Sequence, residues 1–223
     1  VVYKRQPTGA SDLEDAQAAN EHAPTPGVPD AAPPESTSEP SRRFIQPRRT
    51  LRARVLNLSR LFKYEFMFRA DATFDEIFDE VVESMVSDGE LAVADDVVKP
   101  GAGHDGLDGR GWIAFYAGVV KNFLEGYRVA ARSLHLLLRG PIVDKELSSR
   151  ALRVGERMFL EGDIERSEAV CRPVIANAFT SFCDQGYLVR EGKQLALAPS
   201  FRSEGAVEAV EARLGAYLPS PAD

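Results

Sequence analysis

Residues Asp144 to Pro199 read DKELSSRALRVGERMFLEGDIERSEAVCRPVIANAFTSFCDQGYLVREGKQLALAP and predict helix, turn, helix and β-hairpin in that order. We expect the first helix to start at an Asp144 cap, because apolar residues then recur at steps of four, three and four, and to stop at Gly162. These apolar residues are Leu147, Ala151, Val154 and Met158. The order of elements is winged-helix-like.

The second helix of this stretch is predicted to open at Pro173, whose missing N–H would be unpaired in a first helical turn. Its apolar stripe consists of Val174, Ile175, Ala178, Phe179 and Phe182. Gly186 is the expected left-handed stop. Glu191-Gly192, between two alternating runs, then predicts a hairpin over residues 187–198.

Charge and hydropathy limit the class of function. The chain has 223 residues and a net charge of -7, which argues against the whole chain being a nucleic-acid binder. It contains no apolar run near the ~20 residues of a membrane-spanning helix, so these residues are expected to touch a membrane only peripherally. Cys171 and Cys183 are predicted to be reduced thiols, because they lie too far apart along one helix to pair.

The first 43 residues are expected to add no folded structure. Residues 1–6, VVYKRQ, match one reading frame of a common sequencing adapter, so we interpret them as a scar and expect the natural protein to continue upstream of this fragment. Residues 7–43 hold seven of the fourteen prolines and no aromatic residue, which predicts a disordered Pro/Ala-rich linker. His22 lies in this linker and has no second metal ligand type near it.

A basic run follows, in which seven arginines occur without an acidic residue. They are Arg42, Arg43, Arg48, Arg49, Arg52, Arg54 and Arg60. Two interpretations stay open: contact with anionic membrane lipids, at ~1 kcal/mol per residue near the headgroups, or docking onto an acidic neighbouring domain. Nucleic acid is disfavoured, because only Phe44 is interleaved as a stacking group.

Residues 44–100 are predicted to form a basic amphipathic helix to about Phe68, a second helix and a short hairpin. A Thr73–Glu76 capping box begins the second helix, and Gly89 ends it. The hairpin turns at Ala94-Asp95-Asp96 and ends at Pro100. The chain thus uses the plan of helix, helix and hairpin twice, without a residue-level repeat.

The remaining segments complete a mainly α fold. Residues 101–111 form a Gly-rich loop that lacks the context of a nucleotide site, and His104, Asp105 and Asp108 in it do not suggest a metal. Residues 112–218 are predicted to be a helical region whose long helix, from Trp112 to Gly140-Pro141, is the central strut. The predicted class is therefore a mainly α region with two short β-hairpins, a winged-helix-like C-terminal part and a disordered N-terminal linker.

Three segments carry a resemblance to a known family. They are LFKYEFMFRADATFDEIFDEVV (61–82), FYAGVVKNFLEGYRVAARSLHLLL (115–138) and GERMFLEGDIERSEAVCRPVIANAFTSFCDQGYLVREG (155–192). They resemble the C-terminal region of PlsB-type glycerol-3-phosphate 1-O-acyltransferases. The resemblance implies an acyltransferase domain upstream in the same polypeptide, which uses acyl-CoA or acyl carrier protein in phospholipid biosynthesis. It also implies a peripheral location at the cytoplasmic face of a bacterial inner membrane.

The family's catalytic motif, a histidine five residues before an aspartate, is absent. Counting five residues on from His22, His104 and His135 gives a glycine each time. Phe123–Arg128 (FLEGYR) and Gly162–Arg166 imitate the family's substrate-binding patterns, but we interpret both as coincidences. The first uses Phe123 and Tyr127 as core positions of a helix, and the second matches by spacing only. We therefore assign no catalytic, cofactor or metal residue, and expect this fragment alone to be inactive.

The alternative is a winged-helix DNA-binding or protein-interaction module. The candidate recognition helix, Pro173 to Gln185, has no Lys or Arg and carries Asp184. Its hairpin offers only Arg190 and Lys193. Because phosphate and base contacts need cationic or amide side chains, no nucleic-acid partner is expected.

Overall fold

The computed structural model of the chain describes residues 44–67 and 69–218. These residues form six α-helices and two small antiparallel sheets. The helices are α1 (Arg48–Leu61), α2 (Phe74–Ser87), α3 (Gly109–Ser133), α4 (Asp144–Glu161), α5 (Arg172–Asp184) and α6 (Glu204–Gly215). The strands are β1 (Gln46–Pro47), β2 (Leu91–Ala94), β3 (Val97–Pro100), β4 (Ile142–Val143), β5 (Leu188–Glu191) and β6 (Gln194–Leu197).

The predicted fold class is confirmed, and the helix, helix, hairpin plan does occur twice. Each copy also has a short leading strand, so that both read β-α-α-β-β. The sheet orders are β1-β3-β2 and β4-β6-β5, with the leading strand paired to the last one in both. We call residues 46–100 the N-terminal module and residues 142–197 the C-terminal module. The expected scar (1–6) and linker (7–43) lie outside the described residues.

Helix α3 is the strut of the molecule, as the sequence predicts. Its second half is buried: Tyr127, Ala130 and, just beyond it, Leu134 have no exposed surface. A 3₁₀ segment, Leu134–Arg139, continues it to Gly140. The apolar stripes of α4 and α5 and the residues Val207, Val210 and Leu214 of α6 all belong to the core around α3.

Three local predictions need correction. Asp144 is the first residue of α4 rather than its cap, and its carboxylate accepts a hydrogen bond from Arg190 at 2.6 Å. The hairpin turns at Gly192-Lys193, because Glu191 pairs with Gln194. Helix α1 ends at Leu61 and not near Phe68, and the Phe62 side chain that follows lies in the core with 2% of it exposed.

The start of α3 also differs from the prediction, because it lies at Gly109, inside the predicted 101–111 loop, with Asp108 as its cap. Several other caps and stops follow the sequence. The Thr73–Glu76 capping box is present, with Glu76 N–H donating to the Thr73 hydroxyl and Thr73 N–H to the Glu76 carboxylate. Gly89, Gly162 and Gly186 all have positive φ angles at the ends of α2, α4 and α5. Asp95 and Asp96 also have positive φ angles (51° and 60°), as a two-residue hairpin turn requires.

Candidate functional site: the basic helix and the groove beside it

Helix α1 carries five of the seven predicted site arginines, and two of these pair with α2. Arg48 Nη2 lies 2.8 Å from Asp79 Oδ1, and Arg52 Nε donates to Asp75 Oδ1 at 2.6 Å. The Arg52 guanidinium also lies 5.6 Å from the centre of the Phe74 ring. The predicted acidic neighbour of the arginines is therefore, for these two, a helix of the same chain.

The other arginines of α1 are Arg49, Arg54 and Arg60, all of them exposed. Arg54 donates to the neutral Gln46 side chain at 3.2 Å. None of the three takes part in an ion pair within residues 44–67 and 69–218. Arg42 and Arg43 lie outside the described residues. Lipid contact and domain contact of the arginine set both stay predictions.

A large groove lies between α1, α2 and the first sheet. Its volume is about 1130 Å³. Its apolar lining includes Leu51 and Val55 of α1, Ile77 and Val81 of α2, and Leu91 and Val98 of the sheet, while Arg54 and Arg60 also line it. The sequence predicts the apolar face of each helix. It does not predict the groove between α1 and α2, because the size of the groove depends on the distance between the two helices.

The apolar face of α1 is turned into the protein. Leu61 is buried, and Phe62 at the helix end meets the Tyr127 ring edge-to-face at 5.1 Å between centroids. Leu58 packs against the same core. The C-terminal part of this apolar face is therefore closed against the core, whereas Leu51 and Val55 nearer the helix start line the groove.

Helix α5 is the candidate recognition helix of the DNA-binding alternative. Residues 61–64, at the end of α1 and just after it, contact this helix. The Ser181 hydroxyl donates to the Leu61 carbonyl at 2.8 Å, and the Asn177 side chain donates to the Tyr64 carbonyl at 3.2 Å. Asp184 accepts from the Tyr64 hydroxyl at 2.6 Å and pairs with Lys63. Asn177, the amide best suited to read a base, is thus engaged inside the protein.

The FLEGYR segment has a structural role, as interpreted from its place in the helix. Glu125 is 2% exposed, and its carboxylate accepts the backbone N–H groups of Glu165 and Arg166 at 3.0 and 2.9 Å. Gly126 lets α3 approach its neighbours, because a Cβ there would lie 2.6 Å from Val174 Cγ1. Arg128 Nη1 donates to the Asp163 carbonyl at 2.6 Å. The Gly162–Arg166 turn is held by these bonds.

The structure places His104 beside two carboxylates. Neither lies five residues after it, so the family's histidine–aspartate spacing does not predict them. Its Nε2 lies 3.3 Å from Glu90 Oε1, and its Nδ1 lies 3.1 Å from Asp105 Oδ2. Its ring stacks on Trp112 at 4.4 Å, and Tyr116 donates to the same Glu90 oxygen at 2.7 Å. No sequence signal indicates this group, because Glu90 and Tyr116 are 26 residues apart.

The hydrogen bonds to Asp105 and Glu90 raise the pKa of His104. Ionised carboxylates only accept hydrogen bonds, so both ring nitrogens donate and the imidazolium form is favoured. A general base needs a free nitrogen lone pair directed at the substrate hydroxyl. In this arrangement both nitrogens of His104 face carboxylates.

Two further properties concern the described part of the chain. Within residues 44–67 and 69–218, no three His, Cys, Asp or Glu side chains come together in a way that could hold a metal ion. The helices of the same residues include none that is both long and apolar enough to cross a membrane.

Comparison with known proteins gives one family. The family model described as "glycerol-3-phosphate acyltransferase C-terminal region" matches residues 38–191, which is more than half of the chain. The matched range contains all of α1 to α5 and begins before the arginines. A search of curated proteins gives no match.

Proposed function

The chain belongs to the family of glycerol-3-phosphate acyltransferase C-terminal regions, and from this premise we propose that it is the non-catalytic part of a membrane-associated enzyme. In this proposal an acyltransferase domain upstream in the same polypeptide moves an acyl group from acyl-CoA or acyl carrier protein to glycerol 3-phosphate. The family match over residues 38–191 carries the proposal.

The state of the histidines supports a non-catalytic role. Acyl transfer to a hydroxyl needs a base beside the attacking oxygen and preorganised donors for the oxyanion. Both nitrogens of His104 face carboxylates. His135 takes no part in an ion pair or side-chain hydrogen bond of the described residues. His104 thus has both nitrogens engaged, and His135 has no partner among the described residues to orient its ring as a base.

The position of the arginines supports peripheral membrane contact, at the cytoplasmic face of a bacterial inner membrane in our proposal. Arg49, Arg54 and Arg60 are exposed on one helix and lack an acidic partner among the described residues. Attraction of such side chains to anionic lipid falls off within a Debye length. We therefore expect binding to be electrostatic and sensitive to salt.

Activity assays test the catalytic part of the proposal. The purified 223-residue chain should give no turnover of glycerol 3-phosphate with palmitoyl-CoA or palmitoyl-acyl carrier protein. The same chain joined to its upstream domain should be active. Turnover by the chain alone that is lost in His104→Ala or His135→Ala would overturn the proposal.

Liposome flotation tests the membrane part. The full chain should float with vesicles of anionic phospholipid and not with neutral ones, and less as salt rises. The triple variant Arg49→Glu, Arg54→Glu, Arg60→Glu should lose flotation. The matched control Lys99→Glu, Arg153→Glu, Arg157→Glu makes the same charge change elsewhere and should retain most of it. Equal loss in both would contradict a specific arginine face.

A further inference from the structure

The groove of the N-terminal module is apolar surface that no described residue covers. Six apolar side chains recur at helical spacing along α2, and only Phe78 and Val82 among them are buried. The six are Phe74, Ile77, Phe78, Val81, Val82 and Met85. Val81 is 50% exposed, and Ile77 beside it is only partly buried. In the C-terminal module the corresponding helices are closed over Leu147, Ile175 and Phe179, which have no exposed surface.

An apolar ligand would bind favourably in this groove, because it would cover apolar side chains that are exposed to water. Burial of apolar surface is favourable in proportion to the area removed from water. A volume near 1130 Å³ is slightly above the ~300–1,000 Å³ of small-molecule pockets. The groove is therefore large enough for a long hydrocarbon chain, and its aliphatic lining suits one.

The charged residues of the groove favour an anion at its edge. Among the lining cations, Lys63 is paired with Asp184, and Arg69 with Asp71 and Glu80. Arg54 and Arg60 also line the groove, and no carboxylate within residues 44–67 and 69–218 pairs with either. The lining acids are already engaged, since Glu76 closes the capping box and Asp71 holds Arg69.

We propose that this groove binds one acyl chain of an anionic amphiphile taken from solution, with the chain between α1 and α2 and the anionic head at Arg54 and Arg60. This binding goes beyond the proposed function, because it needs neither a bilayer nor acyl transfer.

The acidic segment of the chain itself is a poorer occupant. Residues 7–41 carry seven carboxylates and no Lys or Arg, so their charge would suit the arginines. Their only aliphatic side chains larger than alanine, apart from prolines, are Leu13 and Val28. Two such side chains cannot fill a groove lined by Leu, Val, Ile, Phe and Met. A hydrocarbon chain matches both the lining and the charge.

The first test is titration of the full chain with laurate, kept below its critical micelle concentration, by calorimetry. Laurate should bind, and dodecyltrimethylammonium, with the same chain length and the opposite charge, should not. Affinity should rise roughly fourfold for each methylene from octanoate to laurate, as burial of CH₂ groups predicts. Binding without this dependence on chain length, or equal binding of the cation, would overturn the proposal.

Matched variants locate the site. Val81→Trp fills the groove from an exposed position and should abolish laurate binding, whereas Val86→Trp, on the same helix but outside the lining, should leave it intact. Arg54→Gln with Arg60→Gln should weaken laurate by at least about tenfold, because the loss of even one charge-assisted interaction has that effect. Arg49→Gln, on the same helix outside the lining, should change little.

These variants also separate this site from the membrane proposal. Val81→Trp keeps every arginine, so flotation on anionic vesicles should persist while laurate binding is lost. Circular dichroism and thermal unfolding of each variant establish that it is folded. Unchanged laurate affinity in folded Val81→Trp would overturn the groove as the site, whatever the result of flotation.

Discussion

The N-terminal and C-terminal modules share one topology and differ in how their cores are filled. In the C-terminal module α3 packs against both helices, and Leu147, Ala151 and Phe179 have no exposed surface. In the N-terminal module the same β-α-α-β-β order leaves an open groove between its helices. The topology alone therefore does not fix the core. The neighbouring helices decide whether it closes.

The largest expected effect contrasts one phenylalanine from each module. Phe179→Ala should lower the free energy of unfolding by ~3–5 kcal/mol, because the ring is fully buried. Phe74→Ala, on the groove and only partly buried, should cost about 1 kcal/mol, since less area leaves the core. Urea unfolding of both variants checks this. Equal losses would mean that the groove is as well packed as the second core.

The next effect concerns two glycines of α3. Gly126→Ala should destabilise by ~1–3 kcal/mol, because its Cβ would lie 2.6 Å from Val174 Cγ1 and 2.8 Å from the Ala169 carbonyl oxygen. Gly118→Ala, nearer the helix start, meets only an Arg166 nitrogen at 3.9 Å and should stabilise by ~0.5–1 kcal/mol. Melting temperatures measure both. Stabilisation by both would show that α3 is not closely packed.

A smaller effect is expected where α1 and α2 are joined by ion pairs. Arg52 and Asp75 are 41% and 60% exposed, so the pair is screened by water and contributes below ~1 kcal/mol. Arg52→Gln should therefore lower stability slightly at low salt and hardly at all at high salt. A double-mutant cycle with Asp75→Asn measures the pair. A coupling well above 1 kcal/mol would mean that the pair holds the groove together.

The smallest effect that we expect is a pH dependence of the folding stability, caused by His104 just after the N-terminal module. The folded-state pKa of His104 is raised, so its stabilising contribution is complete below the unfolded value of about 6.5. It is lost as pH rises through the higher folded value. Fluorescence of Trp112, the single tryptophan, should report urea unfolding that becomes easier over this range. His104→Gln should flatten the profile, and an unchanged profile would exclude His104 as its source.

The sequence predicts the elements whose evidence is local. The periodic stripes of α4 and α5, the Thr73 capping box and the glycine stops all depend on residues within a few positions of each other, and the structure confirms them. Asp144 fails as a cap because a residue 46 positions away, Arg190, binds its carboxylate. Helix α1 ends before Phe62, whose ring contacts Tyr127, a residue 65 positions further along the chain.

The candidate site is predicted less completely. The arginines are evident in the sequence, but the acidic partners of Arg48 and Arg52 lie on another helix, and the pairs require the folded arrangement. The groove is a space between side chains and has no motif. The FLEGYR segment, in contrast to the groove, can be interpreted from the sequence, because Phe123 and Tyr127 occupy core positions of a helix. Its buried carboxylate bonds the loop at Glu165 and Arg166.

The end of α1 has a consequence for the order of folding. The Leu61 and Tyr64 carbonyls receive hydrogen bonds from side chains 120 and 113 residues further on, in α5. During synthesis these partners emerge long after α1 itself, and contacts of such high sequence separation slow folding. The first helix of the described fold is therefore among the last to be completed, and a chain stopped before Asn177 lacks both donors.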